Sequence, residues 1–181
     1  MMPNAAFLMG YRFILEVIKV CSFCDMSKFW LLLYDDLPVE IKHLMNIAQF
    51  TFNPFQENTY VVWDESGECV VIDAGNYTQK EGSVLFGFIK DKGLKPVYAL
   101  NTHGHVDHIL GVVEVTKEYG IPFALNGEDS FLVDTAPSHG ALYGFDVKEV
   151  PVVGKDLNGL GEISFGSTTL TIIHTPGHTP G

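Results

Sequence analysis

A mixed α/β fold, a sheet with helices packed on it, is what the order of apolar segments predicts. Three observations carry this. The segments "NIAQFTF", "NTYVVWD" and "ECVVID" have strand-like composition and follow one another across short turns. Further along, short apolar runs alternate with stretches of helical periodicity, and strands that pair locally before alternating with helices build a mixed sheet. The composition, 46% hydrophobic and 18% charged over 181 residues, supplies one domain with a substantial core and does not suit a disordered chain.

The elements follow in chain order. Residues 1–44 stand apart. They hold two apolar runs, Phe7 to Val20 and Phe29 to Tyr34. Arg12, Glu16 and Lys19 interrupt the first, which makes it a poor membrane span and a poor signal peptide. We expect 1–44 to be an extension outside the main fold, and the domain to occupy 45–181. From Met45, two strands end in "Glu65-Ser66-Gly67", turn chemistry that predicts a hairpin with the third. "TQKEGSVLFGFIKDKG" predicts a helix with Val84, Leu85, Phe88 and Ile89 inward and Gly93 at its stop. "PVYALNT" reads as a short buried strand. "HILGVVEVTKEYG" reads as one helix with Ile109, Val112, Val113 and Thr116 inward, closed by Gly120 and Pro122. "PFALN" is the next strand, and "GEDSFLVDT" starts another helix. After a long polar and Gly-rich connection, "EISF" and "TTLTIIHT" form a final hairpin around Gly166-Ser167.

Charge and cysteine usage narrow the function. The formal net charge is −11 with no basic patch, which disfavours nucleic acid and suits a small-molecule enzyme. Cys21 and Cys24 form a CxxC with no second pair, and Cys69 stands alone. All three read as ordinary thiols in a reducing, cytoplasmic compartment, with no membrane partner.

One stretch carries chemistry. In "NTHGHVDHILG", His103, His105, Asp107 and His108 lie within six positions, directly after a strand. Ligands of open α/β sheets bind at the carboxyl ends of strands. In an extended loop, residues two apart point the same way, so His103 and His105 converge, with Gly104 leaving the space between them free. Asp107 and His108 point to a second position. Imidazole suits zinc and other borderline metals, so the pattern predicts a metal centre. "HTPGHTPG" offers a further ligand. His178, in a loop after a strand, is favoured over His174, which sits in the strand end. His43 and His139 read as surface residues.

These motifs resemble the metallo-β-lactamase superfamily, most of all its glyoxalase II-like (hydroxyacylglutathione hydrolase-like) branch. His103, His105, Asp107 and His108 match the family's His-x-His-x-Asp-His, and His178 matches the histidine of its TPGHT turn. "Asn58-Thr59-Tyr60" is similar to an early Asn-x-Tyr strand. "Ile72-Asp73-Ala74-Gly75" is similar to an Asp-x-Gly turn whose aspartate supports the metal loop. Leu110 replaces the first of two glycines that often follow the Asp-His pair, while Gly111 remains.

The resemblance implies an αββα sandwich and two metal positions, one held by His103, His105 and His178, the other by Asp107 and His108. Zinc is the expected metal, two ions in the complete site, with iron or manganese as alternatives. The family's bridging aspartate and final histidine have no counterpart before Gly181, so the expectation is the N-terminal portion of a longer enzyme. That enzyme would hydrolyse a thioester or related acyl substrate. A metal-bound hydroxide would attack, with Asp107 orienting it and accepting a proton. The alternatives are an iron-dependent oxygenase of the same superfamily acting on a persulfide, and a catalytically inert metal-binding fragment. A half-built site would hold about one metal per chain, and a bare apolar face on the hairpin near 162–173 would favour self-association.

Overall fold

A computed structural model describes residues 13–14 and 45–181 of the chain. The expected extension and the CxxC lie outside the described residues, apart from Phe13–Ile14 (β1), which pairs in parallel with a later strand. A six-stranded sheet is built from β2 (Asn46–Phe52), β3 (Glu57–Trp63), β4 (Glu68–Ile72), β5 (Lys95–Leu100), β6 (Phe123–Leu125) and β7 (Val153–Asp156), in that order. The first three run antiparallel, with Tyr60 opposite Ile72 and Trp63 opposite Cys69. From β4 to β7 the pairing is parallel. A three-stranded sheet holds β1, β9 (Thr168–Thr171) and β8 (Glu162–Phe165).

The unbroken apolar runs in β3 and β4 explain the layering. A strand buried on both faces needs no polar alternation. Val61 and Val71 point into a core beneath the helices. Val62, Val70 and Ile72 point the other way, against Ile163, Phe165 and Leu170 of the small sheet. Each fully buried valine contributes about 1.5–3 kcal/mol. Leu85, Ile89, Val106, Ile109, Val112, Val115, Val133 and Ala136 of the helices belong to the first core and no helix residue to the second, so the described residues form helices, large sheet and small sheet, three layers in sequence. No helix among the described residues is long and apolar enough to cross a membrane.

Helix α1 (Gln79–Asp91) begins with a capping box: Thr78 accepts from the Glu81 backbone and the Glu81 side chain accepts from that of Thr78. Glu81 also accepts from Asn53 N at 2.8 Å, pinning the β2–β3 turn to the helix start. The buried stripe is Gly82, Leu85 and Ile89. Val84, expected inside, lies a third of a turn away and is 48% exposed. The single helix expected from His108 to Tyr119 is two: α2 (Val106–Ile109) and α3 (Val112–Tyr119), separated at Leu110-Gly111. In α3 the buried residues are Val112 and Val115, whereas Val113 and Thr116 are half-buried. Helix α4 (Ser130–Leu142) follows a 3₁₀ turn over Gly127–Asp129 and runs through Pro137. The polar connection after it contains β7, an edge strand the apolar pattern did not mark. The hairpin forms as expected, but Ile163, Phe165 and Leu170 are covered by the large sheet. The exposed apolar groups near it are Leu160 and Ile173.

Candidate metal centre

The parallel strands β4 and β5 end side by side, and their continuations form the site. Asp73 follows β4 directly and takes a left-handed conformation, φ +52°. Its backbone N–H donates to Leu100 O at the end of β5. Its carboxylate then reaches across to the next loop. Oδ1 accepts from Thr102 N at 2.7 Å, and Oδ2 accepts from the Thr102 hydroxyl at 2.8 Å. Thr102 Oγ1 also lies 2.9 Å from His103 Nδ1. The hydroxyl has one proton, and the carboxylate takes it. Oγ1 is therefore the acceptor toward His103, which places the ring proton on Nδ1 and the lone pair on Nε2.

Nitrogen atoms of His103, His105 and His178 lie within 4.8 Å of one another. The three imidazoles face each other edge to face, with ring centroids 4.8 Å (His103–His105), 4.5 Å (His105–His178) and 5.0 Å (His103–His178) apart. His103 is buried, His105 half-buried and His178 exposed. Burial and the neighbouring His178 hold the His105 pKa below the ordinary histidine value, against the pull of Asp107, so its lone pair is available at neutral pH. His174 stands outside this group, exposed, with Nε2 2.8 Å from Pro180 O. His139 is exposed on α4, and His43 lies outside the described residues.

A second pair adjoins the first. Asp107 and His108 lie in the first turn of α2. His108 Nε2 is 3.5 Å from Asp107 Oδ2, and its ring centroid is 4.2 Å from that of His103. Its other nitrogen, Nδ1, is 3.2 Å from Asp73 Oδ2 and 3.9 Å from Glu57 Oε1. Burial disfavours the charged imidazole. The Asp73 carboxylate outweighs this, with Asp107 adding to it, and raises the His108 pKa. A proton held on Nδ1 leaves Nε2 facing Asp107.

Backbone staples fix the loop. Asn101 Nδ2 donates to His108 O at 2.8 Å, and Asn53 Nδ2 donates to Gly75 O and Asp107 O at 2.9 and 3.0 Å. A Cβ on Gly75 would fall 1.9 Å from Glu57 Oε2, so only glycine fits where the β4 loop crosses β3. Gly104 has a different reason from the one its sequence suggests. A Cβ there would strike Asp129 O at 2.8 Å, on the α4 side of the loop, not the space between the histidines.

Glu57 is the residue here that sequence reasoning missed. Its side chain is fully buried at the start of β3, and burial, with Asp73 next in effect, raises its pKa well above the ordinary carboxylate range. The Thr59 hydroxyl has a shorter contact, 2.7 Å, to Asp73 O, and its oxygen is 3.0 Å from Glu57 Oε2. The Thr59 hydroxyl is the donor in the contact to Glu57, and that bond acts to lower the Glu57 pKa against the larger effect of burial. Glu57, Asp73 and His108 also group tightly enough to hold a cation. The signal in sequence was a carboxylate opening a strand that ends in Tyr60-Val61-Val62-Trp63.

The comparisons with known proteins bear on the same residues. The family model of the metallo-beta-lactamase superfamily matches residues 52–181. The chain is 35% identical over 139 residues to the probable metallo-hydrolase YqgX of Bacillus subtilis, covering 76% of this chain and 63% of that one. It is 29% identical over 139 residues to the hydroxyacylglutathione hydrolase GloC of Haemophilus influenzae, covering 76% and 64%. Among solved structures, TTHA1623 in a di-iron-bound form superposes with a TM-score of 0.61 at 28% identity, covering 74% of this chain and 63% of that one. The chain thus spans somewhat under two thirds of the length of these relatives. The matched span takes in every residue of both histidine groups, and the chain belongs to the metallo-beta-lactamase superfamily.

Proposed function

We propose that this chain carries the greater part of the metal centre of a metal-dependent hydrolase acting on a thioester or related acyl substrate. The observation that supports this most is the convergence of His103, His105 and His178 beside the Asp107–His108 pair. The donor chemistry fits a divalent metal: three imidazole nitrogens, the number common in catalytic zinc sites, at one position, and a carboxylate with an imidazole at the other. Zinc suits this set. The di-iron form of TTHA1623 makes iron the metal to test beside it. When bound, such a metal supplies Lewis acidity, which makes water acidic and polarises a carbonyl.

The chain's own residues prepare that chemistry. Asp73 and Thr102 hold the proton of His103 on Nδ1 and so present Nε2. Asp73 Oδ2 also lies 3.2 Å from His108 Nδ1, where its charge favours a proton on that nitrogen. Asp107 is half-buried, and its Oδ2 orients the attacking water and takes up its proton. A thioester substrate is favoured by the resemblance to hydroxyacylglutathione hydrolase GloC. Small acyl thiols are also compatible with an acidic chain, whereas nucleic acid is not.

The test is metal analysis with a panel of substrates. Purified protein should retain zinc or iron and hydrolyse a hydroxyacyl-glutathione thioester in preference to simple esters. Metal retention without thioester turnover would reject the substrate class. Oxygen consumption with a persulfide would identify an oxygenase instead, and a chain that retains no metal would end the reading altogether.

A further inference from the structure

We propose that Asp129 is a positioning residue for the metal centre: one buried carboxylate sets the separation of the His103–His105 loop from the His178 loop. The inference rests on the metal reading above. Asp129 closes the 3₁₀ turn before α4 and is 0% exposed. Its place is the N-cap of α4, where an aspartate ordinarily accepts from the helix's own first turn. Here the side chain makes no such bond. Oδ2 accepts from Gly104 N at 3.1 Å and from Thr179 Oγ1 at 2.8 Å, and Oδ1 accepts from Gly181 N at 2.7 Å.

Those partners identify the role. Gly104 lies between His103 and His105, and Thr179 is the neighbour of His178. The carboxylate therefore joins two ligand loops that are 75 residues apart in sequence (179 − 104). Both loops also press on it sterically. A Cβ on Gly104 would meet Asp129 O at 2.8 Å, and one on Gly181 would meet Asp129 Cγ at 2.8 Å. Burying a carboxylate is costly, and backbone and hydroxyl donors offset that cost. A helix cap alone would not need the residue buried and turned away from its own helix. Three loop donors at fixed positions do.

A second buried carboxylate provides the control. Asp64 accepts from Ser66 N, Ser167 N and Thr168 Oγ1 at 2.9, 2.7 and 3.0 Å, joining the β3–β4 turn to the β8–β9 turn without touching a histidine loop. The experiment compares Asp129→Asn, Thr179→Val and Asp64→Asn in the full chain. Zinc affinity is measured by chelator competition, the cobalt(II) absorption spectrum reports coordination, and thermal melting of metal-free protein reports stability. Asparagine must turn its amide N–H₂ toward one of the loop donors, so Asp129→Asn should bind zinc about 10–100-fold more weakly, with an altered cobalt spectrum. Thr179→Val removes one neutral donor and should lose about threefold to tenfold, which keeps the inference testable if Asp129→Asn does not fold. Asp64→Asn should melt earlier yet bind zinc within twofold of wild type. Wild-type affinity and spectrum in Asp129→Asn or Thr179→Val would overturn the inference while leaving the metal reading intact. So would equal losses in the Asp64 variant. Wild-type protein that binds neither metal would overturn the metal reading and this inference together.

Discussion

Replacing Asp73 with asparagine should weaken the first metal position although Asp73 is not among its three imidazoles. The reason is a proton. In the native arrangement Asp73 Oδ1 faces Thr102 N–H at 2.7 Å, and Oδ2 takes the Thr102 hydroxyl proton at 2.8 Å. Asparagine keeps its oxygen toward Thr102 N–H, because an amide N–H₂ there would face a donor. Its N–H₂ then replaces Oδ2 and donates to Thr102 Oγ1. The hydroxyl proton turns toward His103 Nδ1, 2.9 Å away, and the imidazole proton moves to Nε2, the nitrogen needed for metal. The same change places an N–H₂ beside His108 Nδ1, formerly 3.2 Å from a carboxylate. Lost supports of metal ligands typically cost about 10–100-fold in affinity, which is about 1.4–2.8 kcal/mol. Zinc competition should therefore give a Kd about 10–100-fold higher for Asp73→Asn, with metal-free stability nearly unchanged, since asparagine tolerates a φ of +52°. Asp73→Ala should lose zinc affinity and in addition about 1–2 kcal/mol of metal-free stability from backbone strain. Zinc binding by Asp73→Asn within twofold of wild type would refute the proton argument.

Other outcomes follow from the same geometry. His103→Ala or His105→Ala should cut retained zinc severely, while His139→Ala on the exposed face of α4 should not, as measured by elemental analysis after gel filtration. Calorimetric titration of metal-free chain should find about one tight zinc per chain, because among the described residues the second position pairs one carboxylate, Asp107, with one imidazole, His108. The Asp64 carboxyl is held below the ordinary range: burial acts to raise it, but hydrogen bonds from Ser66 and Ser167 prevail. A depressed folded pKa stabilises above the unfolded value of about 3.9 and loses that stabilisation as pH falls through the folded value. The stability gap between wild type and Asp64→Asn should thus be full near neutrality and shrink below about pH 4, as urea melts would show. Cys69 is 0% exposed, and burial pushes its thiol up to about 12, so alkylation of native protein at pH 8 should spare it until urea is added.

The centre of the site was legible because its ligands cluster within one loop, where residue type and spacing can be read directly. The strands of the first antiparallel unit were legible for a similar reason: Val61-Val62 and Cys69-Val70-Val71-Ile72 are apolar without interruption. Strand β7 was not. Its sequence, Val153-Gly154-Lys155-Asp156, has one apolar side chain, and the strand exists because β6 offers it a parallel partner. The Val84 error came from drawing the inward stripe through Val84, Leu85, Phe88 and Ile89, when the tight contact runs through Gly82, against Glu114. Glu57 and Asp129 escaped for a different reason. A buried carboxylate is defined by what surrounds it, and those surroundings, Asp73 with His108 in one case and Gly104 with Thr179 in the other, are brought together only by the fold.

The division of the histidines between two remote segments has a kinetic consequence. His105 and His178 are 73 residues apart (178 − 105). For a free chain, closing a loop of that size costs about 4 kcal/mol of entropy, so an ion captured during synthesis by His103 and His105 would wait for its third ligand. In the folded chain the two sheets are already stitched together by the Asp64 bonds to Ser167 and Thr168, and the loop is closed beforehand. The three histidines differ in exposure. His103 and Gly104 are buried behind β5, whereas His178 stands in solvent on a short segment. The exposed histidine is thus tethered from within: Thr179 and Gly181, both buried, donate to Asp129 and anchor the segment that carries it.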